Sequence, residues 1–277
     1  LPSDPQRNTL LGSNAGDTFT GTDATDNTLI GYDAGTAITT GDYNTAVGSN
    51  VLEATTTGSY NVAIGEKALQ VNSTGGENVA IGARALDANT TASDNSCLGY
   101  NTLTLNTTGA SNTAVGSSAL AANITASNNS AFGKSALAAA TTGHSNTAVG
   151  YQAGDAITTG DNNILIGFNA AASSATVDNE ITLGDTAITK FRVPGLNFSI
   201  KDSTATDNYV LTVDANGDAG WEATSGGTST GETYVKLKNS SGNASNTGDN
   251  TYAGSGAGAA LASGGAENTF YGFDAGK

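Results

Sequence analysis

The sequence lacks most of the residues from which ordinary protein cores and reactive sites are built. Among 277 residues there is no Met, one Trp, one Cys and one His, and only 13% are charged, compared with roughly 25% in a typical globular domain. Glycine is abundant instead, with 37 residues, which argues against a core of large interlocking side chains. Because natural chains begin with Met, we expect a processed N-terminus or a piece of a longer protein.

Positive charge is also scarce. The chain has 10 Lys and Arg against 25 Asp and Glu, and its formal net charge is −15. The basic residues are scattered singly, so no patch offsets the repulsion that a nucleic-acid backbone would meet. No apolar run approaches the roughly 20 residues of a membrane-spanning helix, and the start "LPSDPQRNTL" is unlike a signal peptide. We therefore expect a soluble chain that neither binds nucleic acid nor inserts into a membrane.

One pentapeptide pattern recurs through the first two thirds of the chain. It appears as "NVAIG" at residues 61–65 and as "NTAVG" at residues 112–116, and its Asn returns every 17 residues. Asn8 precedes the regular series by 19 residues, and Glu180 follows it by 17. A fixed period in this range is typical of a solenoid, and helical repeats need more residues, so the sequence predicts a parallel β-solenoid, or β-roll. The regular Asn residues are Asn27, Asn44, Asn61, Asn78, Asn95, Asn112, Asn129, Asn146 and Asn163.

Each position of the coil keeps one residue type, and we call such a set a column. Gly stands four residues after the Asn in all nine coils, which predicts a corner that needs positive φ or a close backbone approach. The residue before this Gly is large and apolar, and the one before that is mostly Ala, so the strand has two apolar faces. We expect the large residues to form a buried ladder, made of Ile30, Val47, Ile64, Ile81, Leu98, Val115, Phe132, Val149 and Ile166.

Two further columns complete the predicted coil. Leu stands eight residues after the Asn in six coils, and Gly35 and Gly154 take its place in two others, which predicts a second short strand after the corner. Thr stands 13 residues after the Asn in all nine coils and predicts a hydroxyl ladder at a second corner. This threonine column contains Thr40, Thr57, Thr74, Thr91, Thr108, Thr125, Thr142, Thr159 and Thr176.

The predicted coil is too small to bury both of its apolar ladders. Coils stack at about 4.8 Å, so nine steps make a rod on the order of 45 Å long with little space inside. The ladder that is left over predicts an interface, which a rod can close most simply as a parallel cyclic homotrimer. The pattern does not choose between trimer and dimer, and it does not say which ladder faces the axis.

The repeats resemble those of two kinds of fibrous surface protein. "NVAIG" and "NTAVG", the "AL" or "YQAG" that follows them and the Thr-Thr-Gly corner look like coils of trimeric bacterial adhesin heads, whose repeat is shorter, and even more like bacteriophage tail-fibre shafts. The segments "NEITLGDTAITKFRVPGL" at 179–196 and "YVLTVDANGDAGWEA" at 209–223 resemble the end of a tail-fibre repeat block, which favours the phage. The resemblance implies an all-β, left-handed parallel β-roll in a homotrimeric fibre.

The 17-residue period divides the chain into three parts. We expect a solenoid shaft over residues 1–184, a non-repetitive β joint over 185–249 and the truncated start of a second repeat block over 250–277. In the joint, the segment around Asn216 and Gly217 predicts a β-hairpin. "YVKLK" at 234–238 predicts one more strand in the joint.

Several motifs that could suggest a site have a structural explanation. A dinucleotide-loop spacing lacks the surrounding strand and helix, and a calcium-loop alternation lacks the Glu expected at its twelfth position. The residues are Gly254, Gly256 and Ala259 for the first motif and Asp214, Asn216 and Asp218 for the second. Four glycosylation triplets, at Asn72, Asn89, Asn106 and Asn123, are again 17 residues apart and follow from a corner column next to threonines.

Isolated reactive residues are also explained by the repeat. Cys97 occupies an Ala column and is expected to be a small buried apolar residue. His144 lies at a variable corner without a repeated carboxylate partner, so no nucleophile and base converge. The acids at positions 26, 42, 77, 94, 161 and 178 are interpreted as a solvated edge rather than as paired catalytic carboxylates. The sequence therefore predicts no catalytic, cofactor-binding or metal-binding residue and no enzyme.

Two functions agree with this interpretation. The first is the structural shaft of an extracellular attachment fibre, on a virion tail or a bacterial surface, which positions a receptor-binding tip that is not clearly in this chain. The second is a surface-binding solenoid whose threonine column meets a repetitive target such as ice or polysaccharide. We prefer the shaft, because the column beside the threonines varies in residue type.

Overall fold

The chain forms two compact units in a computed structural model, residues 1–192 and residues 193–277. The structure describes residues 6–19 and 23–190 of the first unit in full. Of the second unit it describes the backbone of four strands, residues 209–213, 219–223, 251–253 and 269–271. The expected boundary at residue 184 lies eight residues before the end of the first unit.

The first unit is a parallel β-solenoid, as the sequence predicts. Its single sheet has 11 strands in sequence order, each three residues long. Neighbouring strands pair in parallel one coil apart, for example Val62 with Val79 and Ile64 with Ile81. The strands are β1 (Thr9–Leu11), β2 (Thr28–Ile30), β3 (Thr45–Val47), β4 (Val62–Ile64), β5 (Val79–Ile81), β6 (Ser96–Leu98), β7 (Thr113–Val115), β8 (Ser130–Phe132), β9 (Thr147–Val149), β10 (Ile164–Ile166) and β11 (Ile181–Leu183).

The core of the solenoid is made of small and medium apolar side chains. In β2 to β10 the middle residue of each strand points inward and is buried, with Ala in most coils, Cys97 in β6 and Leu in β2 and β10. The leucine column packs against these residues and is fully buried at Leu52, Leu69, Leu86, Leu103, Leu120 and Leu137. Alternation along a strand of three residues then directs its first and last side chains to the outside.

The expected second strand at the leucine column is wrong. Among the described residues of the first unit, each coil has one strand, and turns follow its corner. Asn50 and Leu52 have φ angles of 55° and 50°, which are left-handed, and an extended strand needs negative φ. A left-handed Leu costs about 1–2 kcal/mol, but burial of its side chain contributes about 1.5–3 kcal/mol, so the turn that points Leu inward is favoured.

The regular Asn residues form a buried hydrogen-bond column that joins the coils. The backbone N–H of each one donates to Oδ1 of the Asn one coil earlier, as from Asn112 to Asn95 at 3.0 Å. Its Nδ2 donates to a carbonyl oxygen 14 residues later, as from Asn112 to Ala126 at 2.8 Å. All nine side chains are fully buried. Because these bonds satisfy polar groups that water cannot reach, the column explains why Asn recurs.

A second buried Asn column was missed by the corner interpretation. Asn72, Asn89, Asn106 and Asn123 are fully buried, and each donates from Nδ2 to the carbonyl oxygen three residues later. Nδ2 also donates to Oδ1 of the preceding Asn, for example from Asn106 to Asn89 at 3.1 Å. Oδ1 of Asn123 has no partner, because Ala140 follows it in the column. These buried amides are inaccessible to glycosylation in the folded chain.

The corner glycines behave as predicted. Those from Gly31 to Gly167 have φ angles between 124° and 143°. A Cβ atom on any of them would lie within 2.8 Å of the backbone of the corner glycine in the next coil. Both the backbone angle and the close approach therefore require Gly at this column.

The four described strands of the second unit form two separate pairs. β12 (Tyr209–Val213) and β13 (Ala219–Ala223) pair antiparallel on either side of Asn216 and Gly217, where the sequence predicts a hairpin. β14 (Thr251–Ala253) and β15 (Thr269–Tyr271) pair in parallel, with Thr251 opposite Thr269, as successive coils do. The predicted strand at 234–238 lies outside the described residues.

Candidate interaction surface

The outward face of the 11-stranded sheet carries an apolar ladder. It is formed by the last residue of each strand, and Leu98, Phe132 and Leu183 are 50%, 43% and 50% exposed. The sequence predicts that these large residues are buried, but the middle residues of the strands and the leucine column fill the core, and the large last residues of the strands point outward. The ladder that is left over is therefore the outer one. The apolar ladder consists of Leu11, Ile30, Val47, Ile64, Ile81, Leu98, Val115, Phe132, Val149, Ile166 and Leu183.

The other outward column of the sheet is uncharged as well. The first residue of each strand is Thr, Ser or Val in β1 to β9 and Ile in β10 and β11. Neither outward column contains an acid or a base, although the chain has a net charge of −15. The sheet is thus a neutral face on an acidic protein.

Aromatic residues border the apolar ladder beyond the corner glycines. Tyr32, Tyr100, Tyr151 and Phe168 occupy the column after the corner and are 41% to 60% exposed. The rings of Tyr151 and Phe168 stack with centroids 5.5 Å apart, and the Nζ atom of Lys134 lies 5.9 Å from the centroid of Tyr151. These contacts favour one arrangement of the rings of Tyr151 and Phe168.

The threonine column forms a second regular surface. All nine of its residues, from Thr40 to Thr176, are exposed, and within the described part of the chain their hydroxyls have no hydrogen-bond partner. The hydroxyls of the preceding column are engaged instead: Thr90 Oγ1, for example, donates to the carbonyl oxygen of Thr107 at 3.0 Å. The preceding column therefore links neighbouring coils by hydrogen bonds, whereas the threonine column presents hydroxyls without a protein partner in the described residues.

The isolated residues His144 and Cys97 are both part of the stacked coils. Nδ1 of His144 accepts a hydrogen bond from the backbone N–H of Ser127 at 2.9 Å, and the backbone N–H of His144 donates to Asp161 at 2.6 Å. Both contacts join coils. Cys97 is 2% exposed, and burial raises the pKa of its thiol well above its ordinary value, so the reactive thiolate is disfavoured.

The acidic edge is partly structural. Side chains of Asp42, Asp161 and Asp178 each accept a backbone N–H from the preceding coil. In residues 6–19 and 23–190, no group of three or more His, Cys, Asp or Glu side chains could hold a metal ion. The dinucleotide-like residues Gly254, Gly256 and Ala259 and the calcium-like residues Asp214, Asn216 and Asp218 lie outside the described residues.

The comparisons with known proteins found no match. No protein-family model, curated protein or solved structure matches the chain. In the part of the chain that the structure describes, no helix has the length and apolar character needed to cross a bilayer. Function must therefore be inferred from the surfaces themselves.

Proposed function

We propose that this chain is a shaft segment of an extracellular trimeric attachment fibre, of the kind found in phage tail fibres. The observation that carries the proposal is the uncharged, outward-facing sheet with its exposed apolar ladder. Each coil contributes one ladder residue, from Leu11 in β1 to Leu183 in β11. A continuous apolar stripe on a water-exposed surface is typical of an interface.

A second and a third copy of the chain are the partners that fit this stripe best. A parallel copy has the same coil spacing, so it can meet the ladder at every coil. Each copy also has a charge of −15, and like charges oppose association except where the surfaces are neutral. Three sheets arranged about one axis would cover all three stripes, as a closed cyclic assembly requires.

The buried Asn columns suit such a shaft. They join every coil to the next with hydrogen bonds that water cannot reach, which favours stiffness along the stack. In a virion tail fibre or a bacterial surface adhesin, this segment would position a receptor-binding tip elsewhere in the protein.

The test is the mass of the purified full chain, measured by light scattering at micromolar concentration without denaturant. The proposal expects three times 27.3 kDa. A Val115→Asp variant would place like charges together at the ladder and should reduce the mass to that of the monomer. Thr108→Asp, on the exposed threonine column, is the matched control and should leave the trimer intact. A monomeric wild-type chain would overturn the proposal.

A second candidate function rests on the threonine column. Nine exposed hydroxyls without protein partners, one per coil, could meet a repetitive target such as ice or an insoluble polysaccharide. A triple variant with Thr74, Thr91 and Thr108 each changed to Val keeps the side-chain shape and removes the hydroxyls. It should lose ice-recrystallisation inhibition or co-sedimentation with cellulose, whereas Thr113→Val on the sheet should not. Absence of both activities in the wild-type chain would dismiss this candidate.

A further inference from the structure

The outward face of the sheet changes in character along the stack. In β2 and β3 the first outward residue is Thr, at Thr28 and Thr45, so only one of the two outward columns is apolar there. In β10 and β11 both outward residues are large and apolar, and Phe168 follows the corner glycine after β10. We call these residues the C-terminal patch: Ile164, Ile166, Phe168, Ile181 and Leu183, which are 38%, 43%, 60%, 66% and 50% exposed.

We propose that the C-terminal patch is the principal contact between copies of this chain, so that association is concentrated in the last coils of the solenoid. This inference rests on the proposed self-association and adds where its binding energy lies. The remaining coils then contribute mainly alignment. A few clustered apolar and aromatic residues carry most of the energy in many interfaces.

The size of the sheet supports an uneven interface. Strands of three residues and ten inter-coil steps give a face of roughly 10 Å by 48 Å, or about 500 Å². A stable interface buries about 800 Å² on each partner. The sheet alone is therefore too small, and neighbouring apolar side chains must contribute. Near the C-terminal coils the aromatic column supplies them, through Tyr151 and Phe168.

The two rings of this pair are stacked within a single chain. Phe168 stacks on Tyr151 with an interplanar angle of 12°. Lys134, one coil before Tyr151, lies near the Tyr151 ring. A partner that binds these rings loses little side-chain entropy, since their positions are set within the chain. Tyr32 and Tyr100, in the same column, have no stacking partner among the described residues, and the other stacked pair, Tyr43 and Tyr60, lies in a different column, directly before the Asn column.

A second copy is also the occupant that the charges favour. Both outward columns of β10 and β11 are free of charge, while the chain as a whole has a net charge of −15. A basic partner would be attracted to acidic surfaces of the chain, and the C-terminal patch contains no acidic residue. A neutral apolar patch on an acidic chain fits the same patch of another copy.

The test gives the last two strands the outward threonines that earlier strands of the stack carry. The variant carries Ile164→Thr and Ile181→Thr, and Thr already occupies this column at Thr28, Thr45 and Thr113, so the fold accepts it. The matched control carries Val62→Thr and Val79→Thr in the same column. Circular dichroism confirms the fold of both variants, and light scattering over a concentration series gives the concentration at which half of the chains are monomeric.

The C-terminal variant should raise that concentration by about 100-fold or more, and the control by less than about 10-fold. Equal effects of the two pairs, or no effect of either on an intact assembly, would overturn the inference and leave the trimeric shaft standing. A monomeric wild-type chain would overturn both.

Cross-linking identifies what covers the patch. Leu183→Cys in a Cys97→Ala background gives a chain with one accessible thiol, and a short bismaleimide should join two chains through it. Thr108→Cys in the same background is the control and should give little product. If the assembly keeps its mass but Leu183→Cys gives no joined chains, another part of the same chain or another partner covers the patch, and the inference is wrong.

Discussion

The backbone N–H of Asn146 donates a hydrogen bond to Oδ1 of Asn129 at 2.8 Å, and both side chains are fully buried. Nδ2 of Asn129 donates to the carbonyl oxygen of Gly143 at 2.9 Å. One side chain therefore satisfies a donor in the next coil and an acceptor in its own. This double role distinguishes the column from ordinary turn asparagines, which bond only to their own neighbourhood.

Asn129→Ala should destabilise the solenoid by about 2–4 kcal/mol, because it leaves a buried N–H and a buried carbonyl oxygen without that partner. Chemical denaturation of the full chain measures the loss. Asn128→Gly is the control, since Asn128 is exposed with a φ of 63°, an angle that Gly adopts easily. It should change the stability by less than about 0.5 kcal/mol. Equal losses in the two variants would mean that the buried column is not what joins the coils.

Gly116→Ala tests the close approach of coils at the corner. Gly116 has a φ of 124°, and a Cβ atom there would lie 2.6 Å from the backbone of Gly133. The strain and the displaced neighbour should together cost about 3 kcal/mol or more. Ser117→Ala, at the next residue, should cost less than about 0.5 kcal/mol. Thermal unfolding of both variants measures the difference, and a neutral Gly116→Ala would show that the coils can move apart at little cost.

The repeat could be predicted from the sequence because Asn, Gly and Thr return at a fixed interval, and a stacked coil is the simplest structure that reuses one position so strictly. The leucine column could not, because a short apolar run in the sequence does not reveal the sign of φ. Leu52 adopts a left-handed angle that few large residues adopt. Its conformation follows from core burial, a tertiary effect.

The candidate surface was only half predictable for a related reason. Ala46 and Val47 are both apolar, so alternation separates their faces without saying which face is inside. The cross-section of the coil decides this, since it admits only a small inward residue in the coils where the leucine column carries Leu. The buried amide of Asn72 was misjudged because Asn favours turns in general, and its bonds to neighbouring coils appear only after stacking.

Some coils carry Leu at the leucine column and others carry Gly, and this difference predicts that the volumes of two core residues compensate for each other. Gly154 replaces the usual Leu, and a Cβ atom there would lie 3.0 Å from Leu137 and 3.2 Å from Leu165. Gly154→Leu should therefore overpack the core and cost about 1–3 kcal/mol. Adding Leu165→Ala, the residue type of most other coils at that position, should recover part of the loss. A double-mutant cycle in denaturant measures the coupling, and additive effects of the two changes would contradict this account of the core.

Cys97 predicts a specific dependence of stability on alkaline pH. Its side chain is 2% exposed, and desolvation raises the pKa of the thiol in the folded chain. The folded state then holds a proton that the unfolded state releases above about pH 8.5, so the contribution is fully present below that pH. As pH rises further, stability should fall by up to about 1.4 kcal/mol per pH unit through this group.

Other groups also titrate at alkaline pH, so the measurement compares the wild-type chain with Cys97→Ala, which places the residue of Ala80 and Ala114 in the same column. Between about pH 7 and pH 10, the denaturation midpoint should fall less steeply with rising pH in the variant than in the wild-type chain. The variant has no thiol that can ionise in the unfolded state. The wild-type thiol should also react with a maleimide only as fast as the chain unfolds. Rapid labelling under native conditions, or parallel pH profiles of the two proteins, would show that Cys97 is accessible and that its burial does not control its ionisation.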